Sequence, residues 1–514
     1  MIVESNPGIG SERRWNQGAI LLLVVTSLFR LPLLRTMDLV PDEAYYWDWS
    51  RHFAAGYYDQ GPMIAYVIKI TTAIFGTNEF GVRFGVWLAT AGALYCLWIL
   101  ARRIYSAKTA FFSLLVFIFT PLTALGSQIA TYDPLLVFFW ALALLPLERA
   151  LFSDNLPLQK RSWFLTGVVL GLGFLSKHTM MLLPLCLLLF LMLSPERRFW
   201  LRRPEPWAAM LISLILYSGV FWWNAHHHWW TFGHLLFLTH HTGGEPFRRL
   251  AEYIGSQALL IGPVLFLGCI AAGIPALRKD AEPEHKYLAC MGIPIILFFC
   301  FLALKTKVQA NWAPFAYLSL TPLWVGAVLE RPGKRRSSQT LISSAVITGA
   351  LLTLLIMAPG LRKAIGFRLP PQSDVTNTAY GWRSLAARVQ KLRLQMERNG
   401  HKAFISGNGY QYVALMAFYL PDHPATYDLF LHFRLTMYAA YVDQLKSRLG
   451  EDSIFINSGK ADDADLHRIF TRVQWLPPFP IYRRPLYHKP IEYIYIAKCY
   501  GYRLYTGLKW AKGG

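Results

Sequence analysis

The chain has 514 residues, of which 54% are hydrophobic and 15% aromatic, and its mean hydropathy is +0.31. That balance excludes an ordinary soluble domain and places the chain in the membrane class. The net charge of +21 would suit nucleic acid, an anionic membrane surface or the topogenic loops of an integral protein, and the placement of the basic residues decides among them.

A membrane span needs about 20 mostly apolar residues at about 1.5 Å each. In chain order, apolar windows fall near 17–34, 80–100, 109–126, 134–152, 163–176, 178–194, 206–223, 254–276, 287–304, 311–329 and 340–358. The first follows Arg13 and Arg14 like a secretory signal, but no small-residue cleavage pattern succeeds it and ten more apolar segments do, so an uncleaved span is expected. The stretch 62–75 is short and contains Lys69, Thr71 and Thr72, which predicts a helix lying at the interface.

With the N-terminus cytoplasmic, the inside loops gather clusters such as Arg197, Arg198, Arg202, Arg203 and Arg331, Lys334, Arg335, Arg336. The outside loops hold only scattered cations. The positive-inside rule thus accounts for the basic excess, and no nucleic-acid partner is needed. Eleven crossings put residues 360–514 outside. There Gly381 to Gly400 reads as a basic helix, and AFISG, SIFINS and IEYIYIAK read as short buried strands. The expected architecture is a polytopic α-helical membrane domain over 1–359, with about eleven transmembrane helices plus interfacial ones, and a periplasmic α/β domain over 360–514 with a structural or acceptor-docking role. Five of the six cysteines lie in apolar runs and only Cys499 in the polar part, with no CxxC pair or disulfide framework.

On this topology the chemically capable residues gather on one side of the bilayer. The first outer loop, MDLVPDEAYYWDWSRHFAAGYYDQGP, supplies Asp42, Glu43, Asp48 and Asp59 among aromatics. Carboxylates beside hydrocarbon are costly unless used or paired, so the loop is a candidate site; the plainer reading is a solvated amphipathic helix with an Asp48–Arg51 pair. Asp133, after Thr131 and Tyr132, opens a span, where it either caps the helix or acts on a substrate beside Asp42. Lys177 and His178 occupy a tight turn, where the cation either snorkels or meets an anion, a phosphate being the obvious one.

The loop WWNAHHHWWTFGHLLFLTHH brings His226, His227, His228, His234, His240 and His241, a density that suggests metal, but without HExxH or cysteine partners an interfacial Trp and His belt fits as well. In KTKVQANWAPFAY, Lys305, Lys307 and Asn311 share a mouth where two ammonium groups would hold a phosphate or diphosphate.

PDEAYYW with YYDQGP, then TYDPLLVFF, GLGFLSKH, NAHHHWWTF and KTKVQANWAPFAYL, in this order over roughly residues 20–330, resemble the bacterial members of glycosyltransferase family 39. These are relatives of protein O-mannosyltransferases and of the lipid A aminoarabinose transferase, with the GT-C fold. The resemblance implies a polyprenyl-phosphate sugar donor, a periplasmic lipid, glycan or protein acceptor, and inversion at the anomeric carbon in the bacterial inner membrane. It carries the catalytic-base role to Asp42 of the Asp42–Glu43 pair and the role of second acid to Asp133, and it matches Lys177 to the family's lysine. The departure is Asp59-Gln60-Gly61-Pro62, where relatives often have an acid, His or Lys, and Pro-Pro; Gln60 supplies no cation.

The expected mechanism is base-assisted attack by an acceptor hydroxyl, with Lys177, Lys305 and Lys307 stabilising the departing phosphate. No cofactor is required on that account, and a role for a divalent cation stays open. Tyr57, Tyr58, Tyr132, Asn311, Asp59 and His227 would contact the substrate. The alternative is a lipid or glycan transporter, disfavoured because the acids sit at outer loop ends and no inverted repeat is visible.

Overall fold

The computed structural model describes residues 9–238, 245–330, 335–367, 369–431, 435–460 and 463–503. They divide into two compact units. One holds the residues up to Leu34, Gln60–Ile64 and Arg83–Ile356; the other holds Arg35–Asp59, Ala65–Val82 and the residues from Met357 on. The C-terminal part therefore does not cluster alone at a 359/360 boundary, because the first outer loop packs with it.

Six helices among the described residues are long and apolar enough to cross a membrane: Gly10–Arg35, Glu79–Ile104, Tyr132–Phe152, Pro204–His226, Pro283–Lys305 and Arg336–Met357. Met63–Phe75, Ala107–Ile118, His178–Leu193 and Pro314–Leu329 are shorter apolar helices. The segment expected as one span near 254–276 is instead two helices, Pro246–Ile261 and Pro263–Leu277, bent by 107°. The break has a local cause. Gly262 takes φ +89°, a conformation that L side chains avoid, and Pro263 brings no N–H to continue the helical ladder. Among the described residues, length and composition identify six spans, or seven with the bent pair, and do not fix the count at eleven.

Large apolar side chains such as Leu21, Leu211, Ile215 and Leu297 stand exposed on these helices, which suits contact with lipid tails. The opposite faces bury Trp140, Trp163, Trp200 and Tyr287 in a continuous core.

The second unit contains a six-stranded sheet: β1 (Ala403–Gly407), β2 (Thr426–Asp428), β3 (Asp452–Asn457), β4 (Phe470–Trp475), β5 (Phe479–Ile481) and β6 (Glu492–Tyr502). The order is β2-β1-β3-β6-β4, with β5 also pairing β6. β1 is parallel to β2 and β3, whereas β6 runs antiparallel to β3, β4 and β5. Every residue of β1 and β3 is buried, as expected of central strands written as short apolar runs. The helix Tyr410–Tyr419 connects β1 to β2, and Pro41–Arg51 belongs to the same unit.

Candidate functional site

In the membrane unit, a buried ion pair lies at the start of the Tyr132–Phe152 helix. Lys177 Nζ donates to Asp133 Oδ1 at 2.6 Å, and Asn311 Nδ2 donates to Asp133 Oδ2 at 2.6 Å. Asp133 and Lys177 are 7% and 3% exposed, so neither charge could be held there without the other. Both carboxylate oxygens are committed to these side chains; Asp133 spends its hydrogen bonds on Lys177 and Asn311 rather than on a helix cap, whose position Thr131 takes. The ammonium also lies 5.0 Å from the centre of the Tyr132 ring. Lys177 therefore meets an anion instead of snorkelling, and the anion is supplied by the chain.

The turn carrying Lys177 is fixed from both sides. Its N–H continues the Leu156–Ser176 helix by donating to Gly173 O, and Gln60 Oε1 lies 2.8 Å from His178 Nδ1 and 3.4 Å from the His178 backbone N. Gly61 is required beside it: a Cβ at this position would stand 2.1 Å from the Leu175 carbonyl oxygen. Gln60 thus supplies an amide that holds the lysine turn.

Asn311 is positioned by a residue that sequence reading passed over. Gln257, fully buried in the Pro246–Ile261 helix, donates to Ala310 O at 2.9 Å and accepts from Tyr317 Oη at 3.1 Å. A glutamine in register with Tyr253 and Ile261 on the buried face of the helix is the signal that could have found it. Asp133, Asn311 and Thr131 line a cavity of about 250 Å³ whose walls include Leu94, Phe117, Ile129, Val137 and Leu260. Such a mostly apolar space with a few polar groups suits an apolar chain carrying a polar group.

Other expected residues stand apart from this cluster. Lys305 is exposed over the Phe301 ring, and Lys307 is exposed. His227 stacks on Trp223 at 4.0 Å, with Nδ1 2.8 Å from Trp223 O, which makes it a helix-end contact. His240 and His241 lie outside the described residues. Among the described residues no three His, Cys, Asp or Glu side chains gather as a metal cage.

In the second unit, the first outer loop forms the helix Pro41–Arg51, with proline at its first position. Asp42 is half-buried, and Tyr410 Oη donates to its Oδ1 at 2.6 Å. Glu43, expected beside it as catalytic, is fully buried, and its Oε2 accepts from Val40 N at 2.9 Å while its own N–H donates to Val40 O. That reciprocal pairing satisfies the helix N-terminus and gives Glu43 a structural use. Asp48 is likewise occupied, by Tyr438 Oη at 2.7 Å and Arg51 at 3.1 Å.

Tyr45 Oη donates to Asp59 Oδ2 at 2.8 Å and accepts from Met437 N at 2.6 Å. Burial, reinforced by the Asp59 charge, pushes the Tyr45 hydroxyl well above its ordinary pKa, so it stays a donor. The Tyr45 ring packs 4.4 Å from that of Tyr410, and Tyr58 is buried nearby in sequence. Tyr410 follows a Gly-Asn-Gly turn far along the chain, and nothing in the sequence links it to Asp42.

The first unit is thus a bundle of apolar helices with a buried acid–lysine pair whose acid lines an apolar cavity, and the second carries a small mixed sheet. The family model described as dolichyl-phosphate-mannose-protein mannosyltransferase matches residues 59–223. Lipid A galacturonosyltransferase RgtD of Rhizobium johnstonii is 29% identical over 66% of this chain and 71% of its own length. The undecaprenyl phosphate-alpha-4-amino-4-deoxy-L-arabinose arabinosyl transferase of Pseudomonas paraeruginosa is 34% identical over 60% of this chain and 59% of its own. Among solved structures, apo ArnT from Cupriavidus metallidurans superposes with a TM-score of 0.66 at 15% identity, covering 94% of this chain and 98% of that one, which establishes the fold. The chain shares the GT-C fold of ArnT and is a multi-pass membrane enzyme similar in sequence to these transferases. The transporter alternative gives way to a transferase.

Proposed function

We propose that this enzyme moves a sugar from an undecaprenyl-phosphate donor to lipid A or a related acceptor, at the periplasmic face of the inner membrane. The observation that carries the reading is the buried Asp133–Lys177 pair, whose aspartate lines a largely apolar cavity together with Asn311. The donor substrate named for the Pseudomonas relative and the lipid A acceptor named for the Rhizobium relative supply the substrate classes.

In the proposed reaction Asp42 accepts the proton of the acceptor hydroxyl as its oxygen bonds to the anomeric carbon. The carbon–oxygen bond to the lipid phosphate breaks with inversion, and polyprenyl phosphate leaves with the electron pair. Lys177, held by Asp133, and Asn311 stabilise the charge gathering on that phosphate. Tyr410 orients Asp42 by donating to its carboxylate. Asp59, Tyr58 and Tyr132 contribute to sugar contacts, with Lys305 and Lys307 drawing in the donor phosphate. The chemistry is assigned to residues 1–359, and 360–514 serves acceptor docking.

The test is transfer of label from radiolabelled undecaprenyl-phosphate sugar to lipid A by purified protein in detergent. Wild-type transfer that Asp42→Asn reduces by about 100 to 10,000-fold supports the assignment. Unchanged turnover by that variant removes Asp42 from the base role.

A further inference from the structure

The basic helix Trp382–Arg398 supplies no residue to the bond-making steps of the proposed reaction. It is amphipathic: Trp382, Leu385, Val389, Leu392 and Met396 are buried in the second unit. At 3.6 residues per turn, Arg383, Arg388, Lys391 and Arg398 fall within an outward arc of about 140° that contains no acid. The helix borders a groove of about 800 Å³ lined by Lys391, Arg398, Leu394, Gln395 and Tyr419.

The neighbouring acids are already matched. Asp422 and Glu397 pair with Arg393, and Asp38 and Glu79 pair with Arg383. No ion-pair partner of Arg388, Lys391 or Arg398 occurs among the described residues. Lys391 and Arg398 are two turns apart, about 10 Å along the axis, with the half-exposed Leu394 between them.

We propose that this groove binds the phosphate headgroup of an anionic lipid presented by the bilayer. Charge complementarity asks for an anion, and the fold says where it comes from. Arg383, at the start of the helix, pairs with Glu79, which follows by four residues the apolar helix Met63–Phe75. In the same unit, Ile70 and Ile74 of that helix are 60% and 66% exposed, a surface suited to lipid rather than water. A basic face tied to such a segment meets the headgroup layer, where each cation adds to the attraction for anionic lipid.

Purified full-length protein in neutral maltoside detergent is titrated with short-chain phosphatidylglycerol, short-chain phosphatidylcholine or inorganic phosphate, and retained ligand is read by native mass spectrometry. Wild type should retain phosphatidylglycerol over phosphatidylcholine, and Lys391→Gln with Arg398→Gln should weaken that retention about 30-fold. The charge-conserving pair Lys391→Arg with Arg398→Lys should keep it, and both variants should melt as wild type because these side chains are exposed. Equal phosphatidylglycerol retention by the Gln variant, or equal retention of phosphatidylcholine by wild type, overturns the proposal. Displacement of the lipid by inorganic phosphate as effective as by phosphatidylglycerol itself also overturns it, since that marks a free-anion site.

Discussion

Replacing Lys177 by methionine keeps the length of the side chain and removes its charge, which leaves Asp133 with Asn311 as its one remaining side-chain donor. Removing one partner of a buried ion pair costs about 3–5 kcal/mol, because the other charge stays desolvated and unmatched. Asp133→Asn imposes the converse on Lys177, whose remaining support is the Tyr132 ring at 5.0 Å. The double variant Asp133→Asn with Lys177→Met carries no buried charge, so its thermal stability in detergent should exceed that of either single variant. The cycle should give a coupling well above the roughly 0.5 kcal/mol within which independent sites add. Turnover should not recover with stability, because the cation proposed to meet the leaving phosphate is gone. Additive losses across the cycle would refute the electrostatic account of the pair; near-wild-type transfer by the double variant would refute the role of Lys177 in the reaction.

Tyr410→Phe removes one hydrogen bond to a carboxylate, so kcat should fall about tenfold or more with the melting temperature little changed, as read by transfer assay beside a thermal melt. Gln257→Leu deprives the Ala310 carbonyl of its donor and should cost about 1–3 kcal/mol while loosening Asn311, visible as a raised KM for donor. Gly61→Ala forces a methyl group against the Leu175 carbonyl and should give poorly folded protein by size-exclusion chromatography. Asp428, buried at the end of β2, has its pKa raised from 3.8 to about 6 by burial. The folded state then binds the proton more tightly than the unfolded one, so stability is highest below pH 4 on this group's account and falls by about 3 kcal/mol as pH rises through 6. Asp428→Asn should flatten that part of the melting-temperature profile. Asp422, held below the usual carboxylate range by hydrogen bonds from Arg393, acts in the opposite sense and only below pH 4.

Most of the helical architecture was legible because lipid-facing and core-facing positions are both apolar, so hydropathy alone marks the segments. The strands β1, β3 and β6 were legible because each carries a short run rich in β-branched and aromatic residues. β2 and β5 have three residues each, too few for a period, and β4 alternates with mostly exposed positions. The bend at Gly262 was written in Gly-Pro, but the apolar run continuing through it reads as one span. Partition into units was not legible at all. It depends on hydrogen bonds such as Tyr410 to Asp42, which join residues 368 apart in sequence and leave no mark in either segment.

The same contrast separates the acids of the proposed site. Asp133, Glu43 and Asp48 all stood out as carboxylates at loop ends, yet each has its oxygens drawn into structure: by Lys177 and Asn311, by the Val40 backbone, or by Tyr438 and Arg51. A carboxylate so committed holds other groups in place. Asp42 differs in being half-buried, and Tyr410 donates to one of its oxygens. A general base needs an orienting partner and some exposure to the acceptor, which is the ground on which the base role is proposed for Asp42 and the holding of Lys177 for Asp133.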